Sequence, residues 1–362
     1  MGKAVLLIIA LSVFALEGRA AEIWPDSDWA STSPPAGPAL QALEAYAFAP
    51  RSSHGREGVR PDALLVVQDG RIVYERYVAP TSAQTRHLTW SISKSVLATV
   101  LGVAYGQGRF SLQDPVARYY APMQAHPEVR IEDLLHWASG LAWQEDYEYA
   151  PLNSSVVAML YTRGRADMAA YAASRARAAG PGERFLYSSG DSNLLAAALR
   201  GMVDSEDYAW QALFQPLGIT QATWERDASG TLVGSSYLYL NARDLARIGL
   251  LMLRDGRWQG QPLLPPEWVA FNHQPFTAAS AAPGEATPGG HWWLNTPVAG
   301  STRPWPDAPA ETFAALGHWG QALYVLPAQK LVIVRYADDR DGRYQHNELL
   351  KRALAAFAGE QP

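Results

Sequence analysis

The chain has 362 residues, of which 48% are hydrophobic and 18% charged, enough to bury a full core in one large domain or two closely packed ones. Its formal net charge of -5 leaves no basic footprint for nucleic acid or an anionic membrane surface, so we expect neither partner. The absence of cysteine excludes disulfides, a thiolate nucleophile and a lipid-bearing cysteine.

Residues 1–20 have the pattern of a signal peptide. Lys3 precedes an apolar run over residues 4–16, and Gly18 and Ala20 put small residues at the two positions that a signal peptidase reads. The run is too short to span a bilayer, and the alternative is an uncleaved anchor. We expect cleavage after Ala20 and an exported protein, periplasmic or secreted, with no membrane insertion after cleavage.

Strand patterns lie toward both ends of the chain. After a Pro- and Ser-rich lead and a predicted helix over residues 40–48, two β-rich runs over residues 63–78 are joined by Asp69-Gly70, a strong hairpin signal. Two further strands are predicted at residues 322–326 and 331–336, around a turn that contains Pro327. An amphipathic helix over residues 347–358 follows them.

The middle of the chain has helical periodicity instead, with Gly and Pro between the periodic stretches. The predicted helices cover residues 131–138, 167–176, 192–202 and 209–217.

This order predicts an α+β fold, in which an antiparallel sheet is flanked by terminal helices and a mostly helical domain is inserted. The sheet domain is predicted over residues 22–110 and 235–362, and the helical domain over residues 111–234. Residues 277–309 are rich in Pro, Ala and Gly, which predicts a long loop, either a lid or disordered.

Lys94 is unusual in this sequence, because only four of the 30 basic residues are lysine. Lysine can lose its proton when it is desolvated, whereas arginine cannot. Lys94 lies at the start of a predicted apolar helix that runs to Gly108. The positive end of the helix dipole and the apolar surroundings both lower the pKa of an amine there.

Ser91 lies three residues before Lys94 and therefore on the same helical face. An uncharged amine at that distance can take the hydroxyl proton as the serine attacks. The Ser91 N–H has no partner within the helix and is free to bind an oxyanion. The alternative is a chance Ser-x-x-Lys match, and Ser93 and Ser95 compete as nucleophiles. Only Ser91 has the right spacing.

Two further segments supply candidate partners. Tyr187 precedes a helix predicted to begin near Asp191, where its phenol either belongs to the core or, beside a cation, becomes a phenolate base. Glycines surround His318-Trp319 just before the predicted strand at residues 322–326, which is typical of a close ligand approach. The Gln321 N–H is the candidate second oxyanion donor, and His318 points a donor into the site or is structural.

The three segments together resemble the serine β-lactamase and penicillin-binding-protein superfamily, in particular its class C-like branch of esterases, D-aminopeptidases and aminohexanoate-dimer hydrolases. Ser91-Ile-Ser-Lys94 resembles the nucleophile motif, Tyr187-Ser-Ser189 the Tyr-x-Asn element and His318-Trp-Gly320 the Lys-Thr-Gly element. The segments LLHWASGL (134–141) and YLNARDLARIGLLML (239–253) extend the resemblance over most of the chain after residue 63.

The resemblance implies a two-domain fold with the site in the cleft between the domains. It implies that Ser91 is the nucleophile and that Lys94 and Tyr187 form the proton-transfer pair, with either one as the acylation base. The Ser91 and Gln321 N–H groups would form the oxyanion hole. The implied substrate contacts are Ser189, His318, Trp319 and Gly320.

Two departures from the family pattern bear on the substrate. His318 stands where β-lactamases have a lysine, and Ser189 stands where they have an asparagine. We therefore expect an ester, amide or short peptide substrate, with Trp143, Trp293, Trp305 and Trp319 as candidates for lining an acyl site.

The alternatives are β-lactamase or D-peptidase activity, or a non-catalytic, penicillin-recognising binding protein of the cell envelope. A lipase-type hydrolase is excluded because the sequence has no Gly-x-Ser-x-Gly elbow. No metal or nucleotide motif is present, so no cofactor is expected.

Overall fold

A seven-stranded antiparallel sheet forms the centre of the molecule. The computed structural model describes residues 22–50, 57–278, 286–298 and 302–358. In spatial order the strands are β2 (Arg71–Tyr77), β1 (Pro61–Gln68), β12 (Leu331–Ala337), β11 (Gln321–Leu326), β10 (Phe313–Gly317), β9 (Trp293–Leu294) and β8 (Thr287–Pro288). The predicted α+β class and the four long strands β1, β2, β11 and β12 are confirmed.

The turn between β1 and β2 has the geometry that its sequence predicts. Asp69 and Gly70 have φ values of 49° and 80°, the left-handed values that a two-residue hairpin turn requires. Aspartate and glycine tolerate this region better than other residues. The hairpin is therefore fixed by local sequence.

Helices cover both faces of the sheet. One face packs against α1 (Pro38–Ala47) and α9 (His346–Phe357), and the other against α2 (Ile92–Gly106) and α7 (Ala242–Leu253). In β1, Leu64 and Val66 therefore enter one core, whereas Leu65 and Val67 enter the other. Because both faces are buried, the central strands are continuously apolar and not alternating.

Residues 111–234, all of which are described, hold four α-helices and a single short strand. The helices are α3 (Ile131–Leu135), α4 (Ser155–Tyr161), α5 (Met168–Ala173) and α6 (Ser189–Met202), and the strand is β4 (Thr223–Trp224). The predicted helix over 131–138 is too long, because Trp137 has a φ of 50°, which α-helix excludes. The stretch predicted as helix over 209–217 holds instead a π-helical turn, Trp210–Phe214.

The smaller elements complete the chain. A three-stranded sheet joins β3 (His87–Leu88), β5 (Leu238–Leu240) and β4. A two-stranded ribbon joins β6 (Arg257–Trp258) and β7 (Gln261–Pro262), and α8 (Pro266–Asn272) follows it. The 3₁₀ turns are Val116–Arg118, Ala121–Ala125 and His318–Gly320.

The prediction of a loop over residues 277–309 is right for most of the described part of the segment and wrong where two short strands form. This segment adds the edge strands β8 and β9 to the sheet. Trp292 and Trp305, exposed by 0% and 3%, anchor it in the two cores. Short strands of two residues carry too little periodicity to be found in a sequence rich in Pro and Gly. The predicted signal peptide lies outside the described residues.

Candidate active site

Ser91 and Lys94 are hydrogen bonded at the N-terminus of α2. Ser91 directly precedes Ile92, the first helical residue. The Lys94 Nζ lies 2.9 Å from Ser91 Oγ and 2.9 Å from the carbonyl oxygen of Ser235, and Lys94 is only 1% exposed. Burial lowers the pKa of this amine from 10.5 to about 8, against a rise caused by the carboxylate of Glu145.

The hydroxyls of the two competing serines are occupied and buried. Ser93 Oγ donates to the carbonyl of Trp90 at 2.7 Å, and Ser95 Oγ donates to the carbonyl of His291 at 2.6 Å. Both residues are at most 2% exposed. Ser91 is half-buried and lines a cavity. Of the three serines, Ser91 is therefore the one that a substrate can reach.

The backbone just before Ser91 is strained. Trp90 has a φ of 49°, an unfavourable value for a bulky residue. Its ring packs edge-on against Tyr147, His318 and Trp319, with centroids 6.4, 5.4 and 5.3 Å away. Such packing is what keeps a strained residue in place at a functional site. The aromatic cluster thus fixes the turn that presents Ser91.

Tyr187 lies beside the Ser91 and Lys94 pair. Its ring centroid is 5.0 Å from Lys94 Nζ, and its side chain is hydrogen bonded with Ser91. Burial, followed by the charge of Glu145, raises the pKa of the phenol well above 10, whereas the hydrogen bond with Ser91 lowers it. The expectation of a phenolate is wrong, because desolvation opposes the charged form. Tyr187 is a neutral phenol that can donate as well as accept a proton.

His318 belongs to the tight turn between β10 and β11. Its Nε2 lies 2.8 Å from Glu148 Oε1. Burial lowers the pKa of the imidazole, and the Glu148 carboxylate opposes this by raising it. His318 therefore adds little positive charge at neutral pH, and what it adds is already paired with a carboxylate.

Buried charges hold this turn from behind. Arg335, which is 0% exposed, donates to the carbonyl of Gly320 at 2.8 Å and forms an ion pair with Asp339. The backbone N–H of Asp339 donates to the carbonyl of Trp319. A Cβ at Gly320 would collide with Arg335 and Asp339, and its φ is 84°, so this position needs glycine.

Gln321 has a side chain that is buried in the interior. It is 0% exposed, and its side-chain amide donates to the carbonyl of Ala337 and accepts from the N–H of the same residue. Gly317 and His318 line the cavity beside Ser91, and Gln321 does not. The lining therefore favours the backbone at the end of β10 over the Gln321 N–H as the second oxyanion donor.

Ser189 is not exposed to substrate either. It is 0% exposed, its hydroxyl donates to Glu145 Oε1 at 2.5 Å, and its N–H donates to Glu145 Oε2 at 2.9 Å. The role of a substrate contact is therefore wrong for Ser189. Trp319 and Gly320 do not line the cavity, and they shape the turn that carries His318.

The cavity beside Ser91 has a volume of about 660 Å³ and an acidic, aromatic lining. The lining residues are Ser91, Glu145, Asp146, Tyr147, Glu148, Tyr149, Phe185, Tyr187, Ala286, Pro288, Trp293, Leu316, Gly317 and His318. Of the four tryptophans predicted for an acyl site, Trp293 alone lines it. Trp305 packs under the sheet, and Trp143 donates to Glu145 at 2.5 Å.

Sequence reasoning missed the segment between Gly140 and α4. Glu145, Tyr147 and Glu148 line the cavity, although no family motif marks them. The local concentration of acidic and aromatic residues in QEDYEY, residues 144–149, is the sequence feature that indicates them. Two tyrosines so close together are unusual in a purely solvent-exposed loop.

Within the parts of the chain that the structure describes, no cluster of three or more His, Asp or Glu side chains is arranged to hold a metal ion. In the same residues, no helix is both long enough and apolar enough to cross a bilayer.

The fold is similar to that of several solved hydrolases. A Bacillus anthracis protein assigned provisionally as a 6-aminohexanoate-dimer hydrolase matches with a TM-score of 0.70 and 20% identity, over 93% of this chain and 88% of that one. EstCE1, a hydrolase with promiscuous acyltransferase activity, matches with a TM-score of 0.65 and 15% identity, over 88% of this chain and 98% of that one. The fold and the serine site together define a serine hydrolase of the β-lactamase type.

The sequence gives the more specific assignment. The β-lactamase family model matches residues 42–357, so the chain belongs to the β-lactamase family. The 6-aminohexanoate-dimer hydrolase of Paenarthrobacter ureafaciens is 27% identical over 341 residues, which cover 86% of this chain and 82% of that protein.

Proposed function

We propose that this chain is an exported serine hydrolase that cleaves a linear amide or ester through an acyl-enzyme on Ser91, with Lys94 and Tyr187 as its proton-transfer pair. The observation that carries the proposal is the contact of 2.9 Å between Ser91 Oγ and a buried amine whose pKa is about 8. A lysine with that pKa is uncharged in part of the molecules near neutral pH, and a general base needs this state.

In acylation, Ser91 Oγ attacks the substrate carbonyl while its proton passes to the Lys94 amine. The oxyanion is bound by the backbone N–H groups of Ser91 and of the end of β10 at His318. The phenol of Tyr187 protonates the leaving group as the carbonyl bond to it breaks, and the Lys94 ammonium then returns a proton to Tyr187. Water attacks the acyl-enzyme by the same route in reverse, which frees the acid and restores Ser91.

The cavity favours a substrate without a carboxylate beside the reacting carbonyl. Glu145, Asp146 and Glu148 line it, and His318 is paired with Glu148. A β-lactam carboxylate would meet these negative charges, and no lysine or arginine is among the described lining residues to bind it. Linear amides and esters with apolar acyl groups fit the aromatic lining better. The Paenarthrobacter relative is named for hydrolysis of a 6-aminohexanoate dimer, which supports an amide substrate.

A fluorophosphonate probe tests the nucleophile. We expect the folded protein to be labelled once, on Ser91, and Ser91→Ala to remain unlabelled, with peptide mass spectrometry as the measurement. Hydrolysis of p-nitrophenyl esters and linear amide oligomers should exceed that of nitrocefin. Labelling at another serine, or no labelling of folded protein, would contradict the acyl-enzyme.

Export is part of the same proposal. Residues 1–20 support it through their signal-peptide pattern, and the mature chain would be periplasmic or secreted.

A further inference from the structure

Glu145 is a half-buried carboxylate at the edge of the active site. It accepts three hydrogen bonds, from Ser189 N–H at 2.9 Å, from Ser189 Oγ at 2.5 Å and from Trp143 Nε1 at 2.5 Å. These donors fix both carboxylate oxygens. A carboxylate that is held so completely is not a mobile surface group.

Hydrogen bonds connect Ser189 to Lys94. The side-chain amide of Asn193 donates to the carbonyl of Ser189 at 2.9 Å and to Ser235 Oγ at 2.8 Å. The carbonyl of Ser235 then accepts from Lys94 Nζ at 2.9 Å. Ser189, Asn193, Ser235 and Lys94 are each at most 1% exposed. A network of this kind holds its members in one arrangement.

We propose that Glu145 is a positioning residue whose negative charge stabilises the ammonium that Lys94 becomes during acylation, and this inference rests on the proposed function of Ser91 and Lys94. Acylation proceeds from the molecules in which the Lys94 amine is uncharged, so in them a positive charge develops on Lys94 as the proton leaves Ser91. A fixed carboxylate across a buried site stabilises that charge without reorganisation.

The charged and titratable groups around the pair agree with this role. Glu145 raises the pKa of Lys94, of Tyr187 and of Tyr147 through its charge. The other groups that face Lys94 are the neutral phenol of Tyr187 and His291, whose pKa burial lowers to about 3, so that it is uncharged.

The substitution Glu145→Gln removes the negative charge of this side chain and keeps its size and hydrogen-bonding positions. Its amide oxygen can occupy the position of Oε2, where two N–H groups donate, and its NH₂ group can donate to Ser189 Oγ, whose hydroxyl rotates. The three contacts therefore survive while the charge is lost. Glu145→Asp keeps the charge on a shorter side chain. Glu183→Gln is the matched control, because Glu183 is an exposed carboxylate bonded to the Gly180 N–H and lies outside the cavity lining.

The measurement is the rate of acylation of Ser91 by an activated ester across pH 5 to pH 10. In Glu145→Gln we expect the plateau rate to fall by about 10- to 100-fold. The acid limb of the profile, which reports deprotonation of Lys94, moves to lower pH, because loss of the carboxylate disfavours the ammonium. In Glu145→Asp the limb stays at higher pH than in Glu145→Gln, and Glu183→Gln matches the wild type.

If the plateau rate of acylation falls in Glu145→Gln while the acid limb stays at its wild-type pH, the substitution has disturbed the structure of the site without changing the charge felt by Lys94. The inference would then be wrong. The inference would also be wrong if both plateau and limb matched the wild type. Failure of the proposed function looks different, because the wild-type protein itself would then show no acylation of Ser91 at any pH.

Discussion

At the scale of single residues, the central feature of the site is that position 94 is a lysine, which can lose its proton, and not an arginine. Lys94 is one of four lysines in a chain that otherwise uses arginine. Its contact with Ser91 could be predicted because the two residues share one helical turn. Its other partners could not, since Ser235 lies 141 positions further along the chain, and Glu145 lies in an irregular segment. Contacts between distant segments leave no local pattern in one sequence.

Lys94→Arg tests whether the side chain must lose its proton. Arginine stays charged in proteins, so we expect kcat/KM for a p-nitrophenyl ester to fall by about 1,000-fold or more, as in Ser91→Ala. The double variant should be no slower than either single one, because the two residues act as one unit. Lys330→Arg, at a lysine whose side chain is 68% exposed, is the control with unchanged activity. Substantial activity with arginine at position 94 would refute the general-base role.

At the scale of elements, the turn between β10 and β11 decides the shape of the oxyanion site. The glycines around His318 and Trp319 do indicate a close approach, as the sequence predicts. At Gly320 the approach is made by the buried Arg335 and Asp339, whereas Gly317 and His318 line the cavity. A sequence pattern shows that glycine is needed, but it does not show whether the group that approaches the glycine belongs to the protein interior or to the cavity. The pattern therefore suggests the Gln321 N–H as an oxyanion donor, although His318 lines the cavity and Gln321 does not.

Gly320→Ala tests this account of the turn. An alanine here would have a positive φ, and its Cβ would collide with Arg335 and Asp339. We therefore expect a loss of about 3 kcal/mol in the free energy of unfolding. Gly108→Ala is the matched control, because its φ of 69° is also positive but nothing lies within 4 Å of the added Cβ. That variant should lose about 1 kcal/mol, through backbone strain alone. Equal losses in urea unfolding would contradict the buried support.

At the scale of the whole molecule, the site is assembled from four segments that meet only in the folded chain. Ser91 and Lys94 come from the N-terminal end of α2 and its cap. Tyr187 precedes the cap of α6, His318 lies in the turn after β10, and Glu145 lies in the segment before α4. The motifs and their order could be predicted from sequence. The lowered pKa of Lys94 could also be predicted, from its apolar surroundings. The burial of Tyr187 could not, and it is what raises the pKa of the phenol.

The measurement that tests the central claim most directly is a titration of Lys94 by NMR, with lysine labelled at its Cε carbon and the signal assigned by its loss in Lys94→Arg. In the folded protein we predict a midpoint near pH 8. In urea the same side chain should return to about 10.4, the value of an exposed lysine. A folded-state midpoint at the ordinary lysine value would mean that Lys94 is a permanent cation, and the proposed mechanism would be contradicted.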